Sequence, residues 1–446
     1  MLNIQRRTIQ ERLARRQYHR PNVFIHFLYR FIMSGFVAPV YNPHYKVIDD
    51  INKCKGPCFV IFNHLSRLDH AFVMEVTYPK RFNMLCNYGE FFRSHLHLVL
   101  WLQQVLPKKI FTDDMNSIRA INQIIKKGGC VAFSPEGTSS LYGQNQPIVP
   151  GTGRFLQYYN IPVYFVHITG SYLTSTKVCL DERKGRVETE ISLLFTPEQL
   201  QKMTPEEIDD KINEAFRHDD YAWNKEKHIK WTKLRDRMCE RLDDICYKCP
   251  RCGAEINMTA EKDYIKCNNC GNGARVNEYY EFEPFDKDCV IPEFPTKWVE
   301  YERMEIIREI RENPDYCFTE NVTIGCLPKY RYLRHLATSV PCGEGVLTVD
   351  HQGMHFKGTR DGKPWSFDLD YTEIWTLAIN NAFDHFAHFI DREFIDIFTE
   401  RRSVGKILLL VEEMHRLHVN TWRNFKWYDY MYKDYEKPAI DDKTRN

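Results

Sequence analysis

The sequence predicts an α/β domain with a largely parallel sheet, then a short cysteine-rich insert, then a C-terminal antiparallel β-roll closed by one helix. Three observations predict this order. Apolar runs alternate with helical stretches between about residues 46 and 195, five cysteines lie between residues 246 and 271, and short strands with turn signals follow residue 341. A chain of 446 residues is too long for one ordinary core, so two or three domains are expected.

The α/β domain is predicted from four short runs that are apolar almost throughout. They read CFVIFNH, FNMLCNY, GCVAFSP and IPVYFVHITG. Such runs are typical of strands buried on both faces, as in a parallel sheet. Between them, MNSIRAINQIIKKGG carries isoleucines at helical spacing before a glycine stop, which predicts a helix. We place this domain at residues 46–245, with a charged helical connector from about residue 196 that includes the capped helix TPEEIDDKINEAF.

Residues 1–45 are predicted to associate with a membrane surface. The first 20 residues contain one acid, Glu11, and six arginines: Arg6, Arg7, Arg12, Arg15, Arg16 and Arg20. This balance suits an anionic lipid surface or nucleic acid, and a solvated N-terminus is the alternative. The apolar stretch NVFIHFLYRFIMSGFVAPVY is interrupted by His26, Arg30 and Pro39, so we expect an interfacial or core helix and no membrane span.

The N-terminus predicts a location on the cytoplasmic side, and this location in turn predicts the state of the cysteines. The start of the chain is rich in arginine and has neither an apolar core nor a cleavage site typical of a signal peptide. The 15 cysteines are therefore expected to be mostly reduced thiols or metal ligands. The chain is predicted to lie in the cytosol or on the cytoplasmic face of a membrane.

The stretch NHLSRLD follows the first apolar strand and has two interpretations. In the first, Ser66 and Asp69 form the polar start of a helix before the apolar AFVMEV. In the second, His64 in the loop and Asp69 in the first helical turn fold together, and the carboxylate orients the imidazole as a general base. No serine or cysteine nucleophile is evident beside them, which favours direct attack by a substrate hydroxyl.

A second motif, GCVAFSPEGTSS, strengthens the catalytic interpretation. It predicts a buried strand that ends at Pro135, with Glu136 and Gly137 in a tight turn at its carboxyl end. Ligands bind at this edge of an open α/β sheet, and both motifs follow apolar strands. We therefore expect the two motifs to lie at the same edge.

Over about residues 40–200 these motifs resemble those of the glycerolipid acyltransferases typified by lysophosphatidic acid acyltransferase. The family motif N-H-x-x-x-x-D is matched by Asn63, His64 and Asp69. The motif F-P-E-G-T-R-S is similar to the stretch 133–140, which reads FSPEGTSS, and a proline-containing apolar strand is matched by Ile161-Pro162-Val163.

The resemblance implies an O-acyltransferase that acts at a membrane. His64 would take the proton of a lysophospholipid hydroxyl as the oxygen attacks a fatty acyl thioester, and Asp69 would orient the imidazole. The donor would be acyl-CoA or acyl carrier protein, and membrane lipids would supply the acceptor. The residues assigned to acceptor binding by the resemblance are Asn63, Glu136, Gly137 and Thr138.

The chain departs from the family at two arginines that are associated with the acceptor phosphate. Ser139 stands where the family has the first of these arginines. The region in which the family has the second arginine reads LPKKIFTDD. Lys108 and Lys109 are expected to substitute as point charges, with Arg93 or Arg154 as alternatives. The other possibility is an acceptor that is not a simple glycerol phosphate. A catalytically inactive acyltransferase-like scaffold, or a zinc-ribbon binding protein, is the alternative function.

Two C-x-x-C-G turns, CPRCG and CNNCG, predict a structural zinc ribbon over residues 246–275. Four thiolates satisfy tetrahedral zinc with no open position, and they come from Cys249, Cys252, Cys267 and Cys270. Cys246 is a spare thiol. We expect the ribbon to link its neighbouring domains or to dock a protein partner. Zinc ribbons also occur in nucleic-acid-binding proteins, but this one is not markedly basic, so no nucleic acid partner is expected.

Residues 276–340 predict a linker with a helix around Trp298–Arg311, and residues 341–446 predict the β-roll-like domain. Strands are expected in GVLTVDHQGMHFKG, PWSFDLD, EIWTLAIN and REFIDIFTE, with a hairpin turn at Asp361-Gly362. The stretch SVGKILLLVEEMHRLH has one apolar stripe at helical spacing. In element order alone this resembles the pleckstrin-homology and GRAM-like rolls, and no role is assigned to it.

Overall fold

The computed structural model describes residues 7–179, 181–233, 237–335, 337–381, 383–422 and 425–433. Arg6 and residues 434–446, which fall within the basic segment and the C-terminal domain of the sequence analysis, lie outside these ranges. In the part of the chain that is described, two seven-stranded sheets are joined by a small four-stranded sheet and two long helices.

The first seven-stranded sheet is mixed and contains the predicted parallel strands. Its strands lie in the order β1 (Pro43–Val47), β8 (Val187–Phe195), β6 (Val163–Thr169), β2 (Phe59–Phe62), β5 (Cys130–Phe133), β3 (Phe82–Asn87) and β4 (Leu106–Lys108). A separate pair is formed by β7 (Arg183–Lys184) and β9 (Thr232–Lys233). Central strand β2 runs parallel to β5 and β6, whereas β8 runs antiparallel to β6.

The helices around this sheet complete its core on both faces. They are α1 (Ile9–Ala14), α2 (Val23–Ile32), α3 (Asp69–Thr77), α4 (Ser94–Leu102), α5 (Met115–Lys126), α6 (Thr152–Tyr159), α7 (Ser171–Thr174), α8 (Pro197–Lys202), α9 (Pro205–Ala215) and α10 (Asp220–Lys227). The four predicted strands and helix α5 are confirmed. Helix α9 has its capping box, and Ile208 and Ile212 are fully buried in the sheet's core, so the helical connector is packed into the domain.

The N-terminal helical segment differs from the expectation. Helix α2 continues through a π turn at Met33–Val37 and a 3-10 turn at Ala38–Tyr41, which gives 19 helical residues long and apolar enough to cross a membrane by length and composition alone. The three interruptions do not break it. His26 is buried beside Gln103, Arg30 pairs with Glu75, and Pro39 occupies the start of the 3-10 turn. The expectation that no stretch is long enough was therefore wrong.

The cysteine-rich insert forms a four-stranded antiparallel sheet. Its strands are β10 (Met258–Glu261), β11 (Tyr264–Cys267), β12 (Gly273–Val276) and β13 (Phe282–Pro284), so it extends past the predicted end at residue 275. It packs against α11 (Pro295–Glu312) and α12 (Val404–His418). Lys248 forms ion pairs with Glu305 and Glu309 of α11, and Lys406 of α12 pairs with Glu255 of the insert.

The C-terminal sheet is antiparallel and is closed by the predicted helix. Its order is β17 (Lys363–Leu369), β16 (Met354–Arg360), β15 (Val340–Asp350), β14 (Cys317–Cys326), β20 (Glu393–Thr399), β19 (His385–Ile390) and β18 (Ala378–Ile379). The hairpin turn at Asp361-Gly362 is confirmed by positive φ angles at both residues. Helix α12 was expected over the same stretch, and its apolar stripe is buried.

Three details of this domain were predicted incorrectly. The sheet begins with β14 at Cys317, not at residue 341, because β14 alternates buried and exposed positions in an otherwise polar stretch. Of EIWTLAIN only Ala378–Ile379 is a strand, and β19 was not predicted. Cys326 and Cys342 form a disulfide between β14 and β15, an exception to the expected reduced thiols.

The C-terminal sheet packs directly on the first domain beside its second motif. Tyr88 lies 6.1 Å from Phe389, and Phe111 lies 5.8 Å from Trp375, measured between ring centroids. A Cβ added at Gly89 would lie 3.3 Å from the ring of Phe394. These residues form one buried apolar cluster between the two sheets.

Candidate active site

His64 and Asp69 come together at the carboxyl end of central strand β2. Nδ1 of His64 lies 2.8 Å from Oδ2 of Asp69. An ionised carboxylate only accepts hydrogen bonds, so Nδ1 carries the hydrogen and Nε2 is left with its lone pair. Nε2 makes no hydrogen bond to any residue that the structure describes, and the side chain is 33% exposed. The pair can therefore accept a proton from a molecule bound at this edge.

The carboxylate of Asp69 is fully buried and held by several donors. Oδ2 accepts the backbone N–H groups of Leu65 at 2.7 Å and Ser66 at 2.9 Å. Oδ1 accepts the hydroxyls of Ser66 at 3.1 Å and Ser171 at 2.7 Å. These bonds fix the direction in which the carboxylate meets the imidazole, which is what an orienting group requires.

The same contacts show that the helix-cap interpretation was wrong in its detail. Helix α3 begins at Asp69 after Leu68, and no side chain caps it. Asp69 turns its carboxylate back to the loop of His64. Asp69 still lies in the first turn of the helix, where a negative charge is favourable.

The second motif holds the loop of His64 from the opposite side. Glu136 is buried, and its two oxygens accept the backbone N–H groups of His64 and Gln146, each at 2.7 Å. The N–H of Ser140 in turn donates to the carbonyl oxygen of His64 at 2.6 Å. Burial raises the pKa of Glu136 to about 8, while the hydrogen bonds from these amides act against the increase. Glu136 thus fixes the backbone that carries the histidine.

Gly137 is required by the shape of this turn. Its φ is +76°, a region that favours glycine, and an added Cβ would lie 3.0 Å from the ring of Phe111. Thr138 and Ser139 follow it and are both buried. The turn thus lies directly against the apolar cluster between the two sheets.

The side-chain amide of Asn63 is hydrogen-bonded to strand β6 through both its nitrogen and its oxygen. Its Nδ2 donates to the carbonyl oxygen of Ile168 and its Oδ1 accepts the N–H of Ile168, both at 2.7 Å. The side chain is buried and ties the end of β2 to β6. This geometry gives Asn63 a structural task, and its role in acceptor binding stays a prediction.

No hydrogen bond or ion pair within the described chain joins His64 to any of the four cations named from the sequence. Nζ of Lys108 donates to the carbonyl oxygen of Thr112 at 3.4 Å, and burial lowers its pKa. Nζ of Lys109 lies over the rings of Tyr88 and Phe389 at 5.4 and 5.1 Å.

The two arginine alternatives are also placed elsewhere or already engaged. Arg93 faces Glu90, with Nε 3.5 Å from a carboxylate oxygen, and Arg154 is exposed on helix α6. Each of the four cations is therefore bound to another group or turned to solvent.

The structure brings one cation to the second motif that sequence reasoning missed. Nζ of Lys177 donates to Oγ of Ser139 at 2.7 Å, and Lys177 is 7% exposed. The lysine lies 38 residues further along the chain, in a stretch without secondary structure after α7. No local pattern in TSTKV marks it, so only the fold reveals the contact.

The four predicted zinc ligands converge at one point of the insert. The sulfur atoms of Cys249, Cys252, Cys267 and Cys270 all lie within 4.8 Å of one another. The Sγ–Sγ distances of Cys249–Cys270 and Cys252–Cys267 are both 3.7 Å. The spare thiol of Cys246 is buried in the core and is not part of this group.

The His64–Asp69 pair lies at the carboxyl end of a strand in an α/β sheet, and sequence comparison adds a family resemblance. No protein-family model matches the chain. The curated 1-acyl-sn-glycerol-3-phosphate acyltransferase BAT2, chloroplastic, of Brassica napus is 23% identical over 150 residues, which cover 33% of this chain. The match confirms the resemblance to the glycerolipid acyltransferases. It spans only 43% of the length of that relative.

Two solved structures show distant likeness. The 1-acyl-sn-glycerophosphate (LPA) acyltransferase PlsC of Thermotoga maritima is 17% identical, with a TM-score of 0.36 over 46% of this chain and 79% of that chain. The RAN binding domain of the nuclear pore component NUP2 of Ashbya gossypii is 12% identical, with a TM-score of 0.17 over 22% of this chain and 93% of that chain. Both TM-scores are too low to assign a fold or a function to this chain.

Proposed function

We propose that this chain is an O-acyltransferase that moves a fatty acyl group from a thioester to a hydroxyl of a lysophospholipid at a membrane. The observation that carries the proposal is the hydrogen bond of 2.8 Å between His64 and the buried Asp69. The sequence match to a glycerolipid acyltransferase supports the choice of reaction. A non-catalytic scaffold would not need a histidine whose Nε2 is free to accept a proton.

The reaction follows from the tautomer that Asp69 imposes. Nε2 of His64 accepts the proton of the acceptor hydroxyl while the oxygen attacks the carbonyl carbon of the thioester. The imidazolium that forms is stabilised by Asp69. The carbon–sulfur bond then breaks, and His64 returns the proton to the departing thiolate. The products are the diacylated lipid and a free thiol, from either CoA or acyl carrier protein.

The N-terminal helical segment supports action at a lipid surface. The helical segment Val23–Tyr41 leaves several large apolar side chains in solvent, of which Phe24 and Phe36 are the most exposed at 71% and 69%. A patch of this kind on a surface helix is typical of membrane contact. We propose that this face lies in the cytoplasmic leaflet and brings the site to its lipid acceptor.

The cysteine group supports a structural zinc ion. Four sulfur atoms bound to zinc at about 2.3 Å would lie about 3.8 Å apart in a regular tetrahedron, close to the observed 3.7 Å. The amides of Asn269 and Asn272 donate to Cys252 and Cys249, which suits thiolate ligands. Bound zinc would supply a structural crosslink, and the four thiolates would hold it beside helices α11 and α12.

The test of the enzyme activity compares wild-type protein with His64→Ala. Both are incubated with labelled acyl-CoA or acyl carrier protein and a panel of lysolipids in vesicles. We expect product from the wild type and a loss of about 10²-fold or more in the variant, the usual contribution of a general base. His44→Ala, which alters an exposed histidine of β1, serves as the matched control and should keep activity. Wild-type protein that forms no product with either donor would refute the proposal.

A further inference from the structure

The loop of residues 140–146 follows the second motif and is hydrogen-bonded to the loop of His64. The N–H of Ser140 donates to the carbonyl oxygen of His64 at 2.6 Å. The hydroxyl of Ser140 donates to the carbonyl oxygen of Gln144 at 2.6 Å and accepts the N–H of Gly143 at 3.0 Å. Because these bonds make the loop one compact unit, a displacement inside it also displaces the backbone that carries the histidine.

Tyr142, within this loop, is hydrogen-bonded to the C-terminal half of the chain. Its side chain is 2% exposed, and its hydroxyl oxygen accepts a hydrogen bond from Nη2 of Arg303 at 3.0 Å. The hydroxyl of Tyr428 lies 2.7 Å from the same oxygen. Arg303 belongs to helix α11, and Tyr428 lies in the segment after helix α12. Two elements that are distant in sequence thus meet at one side chain of the loop.

The guanidinium of Arg303 is itself held by a buried group of charges. Its Nη2 lies 2.7 Å from a carboxylate oxygen of Glu412, and its Nη1 pairs with Glu413, both on helix α12. All three side chains are at most 2% exposed. A planar guanidinium fixed by two carboxylates presents its remaining N–H in one direction, and here that N–H meets the hydroxyl of Tyr142.

A second polar contact joins the same loop to helix α11. Nε2 of Gln144 lies 3.3 Å from a carboxylate oxygen of Glu300 and 3.1 Å from one of Asp219, which precedes helix α10. An apolar contact would join the two parts of the chain without fixing a direction. Hydrogen bonds fix both a distance and an angle, so these contacts define where the loop lies.

We propose that Tyr142 is a positioning residue for His64, and that the C-terminal half, through Arg303 and Tyr428, holds the base in its working position. This rests on the proposed acyl transfer and deepens it, because the base is correctly placed only while helix α11 and the segment after α12 are docked on the loop. Tyr142 acts through the backbone of the loop, and proton transfer stays with His64.

The first experiment compares two variants that each lose one buried tyrosine hydroxyl. Tyr142→Phe removes the oxygen that accepts from Arg303. Tyr371→Phe is the matched control, and it removes a hydroxyl that donates to the carbonyl oxygen of Asp350 at 2.5 Å, away from the loop. Both variants should lower the melting temperature by similar amounts, since each loses a buried hydrogen bond.

Only Tyr142→Phe should lower the rate of acyl transfer. We expect its kcat to fall about 10-fold with KM within about two-fold of the wild-type value, because a slightly displaced base loses rate and not substrate affinity. Tyr371→Phe should keep both constants. A wild-type kcat in Tyr142→Phe, or an equal loss of kcat in the two variants, would overturn the proposal.

The second experiment tests whether Arg303 acts through Tyr142. Arg303→Lys keeps a positive charge beside Glu412 and Glu413 but loses the planar fork. We expect a loss of kcat similar to that of Tyr142→Phe, and a double variant no slower than the slower single variant. Independent contributions would multiply instead. A double variant about 100-fold slower than the wild type would therefore overturn the link between these residues.

The third experiment does not depend on turnover. Amide hydrogen exchange is followed by mass spectrometry in peptides that cover residues 62–70 and 136–146. We expect faster exchange in both peptides of Tyr142→Phe, since the two loops are bonded to each other, and wild-type exchange in Tyr371→Phe. Unchanged exchange at residues 62–70 in Tyr142→Phe would overturn the proposal. If wild-type protein lacks acyl transfer, the proposed function fails, yet the exchange still decides whether the C-terminal half holds the loop of His64.

Discussion

Replacement of Glu136 by glutamine tests the account of the loop that carries His64. The carboxyl group is buried, and burial raises its pKa from 4.5 to about 8. The unfolded chain therefore releases this proton at a lower pH than the folded chain does. The contribution of this group to the free energy of unfolding is therefore fully present below about pH 4.5. It is lost as the pH rises to about 8 and the buried carboxyl group has to ionise. Over that window the loss amounts to at most about 5 kcal/mol.

Glutamine does not titrate, so Glu136→Gln removes this loss. It also has a cost, because its NH₂ group faces one of the two backbone N–H donors that the carboxyl group accepts. An unsatisfied buried pair of this kind costs about 1–3 kcal/mol. We therefore expect the variant to be less stable than the wild type at pH 5 and more stable at pH 8. The two curves of melting temperature against pH should cross.

The assay is thermal unfolding of both proteins between pH 5 and pH 8, read as the difference at each pH so that other titrating groups cancel. Glu226→Gln, an exposed position of helix α10, is the control and should give a constant difference. A difference between Glu136→Gln and wild type that does not change with pH would refute the buried, proton-holding state assigned to Glu136.

Three further predictions concern the base, the metal and the membrane. Asp69→Asn should lower kcat by roughly 10²-fold or more, because an amide NH₂ that faces two backbone N–H groups disturbs the loop and the imidazole tautomer. A kcat within a few-fold of the wild-type value would contradict the orienting role. Purified wild-type protein should contain about one zinc ion per chain. Cys267→Ser should lose the zinc and melt at a lower temperature, whereas Cys246→Ser should keep it. A well-folded wild-type protein without metal would exclude the site. Phe24→Glu should weaken flotation with anionic vesicles while leaving the melting temperature within a degree or two, since this side chain is 71% exposed; equal flotation would show that α2 is not the lipid-facing element.

The sequence predicted those parts of the fold whose signal is local. Strands β2 and β5 are buried on both faces, and their continuous apolar runs mark them at once. Strands β8 and β14 were not predicted because polar residues such as Glu188 and Glu320 alternate with apolar ones there. Such a pattern also fits a polar loop until a neighbouring strand is known.

The same distinction holds for the site. His64 and Asp69 are five residues apart, so a short sequence motif is enough to predict the pair. The two C-x-x-C-G turns predict the cysteine group in the same way. Lys177 meets Ser139 only through the fold, and nothing near it in sequence is distinctive. Asn63 is the opposite case. The motif identifies it as a candidate site residue, but in the structure its side-chain amide is hydrogen-bonded to strand β6.

Phe111 has a consequence for the way this protein can be divided. Its ring touches the turn at Gly137 on one side and faces Trp375 of the C-terminal half on the other. A fragment cut before residue 246 would keep the motifs of His64 and Glu136 but would expose the rings of Phe111 and Tyr88, which belong to the same apolar cluster, to water. The turn that carries Glu136 would then lose the packing of Phe111 against the C-terminal half. The two halves are therefore expected to purify as one body.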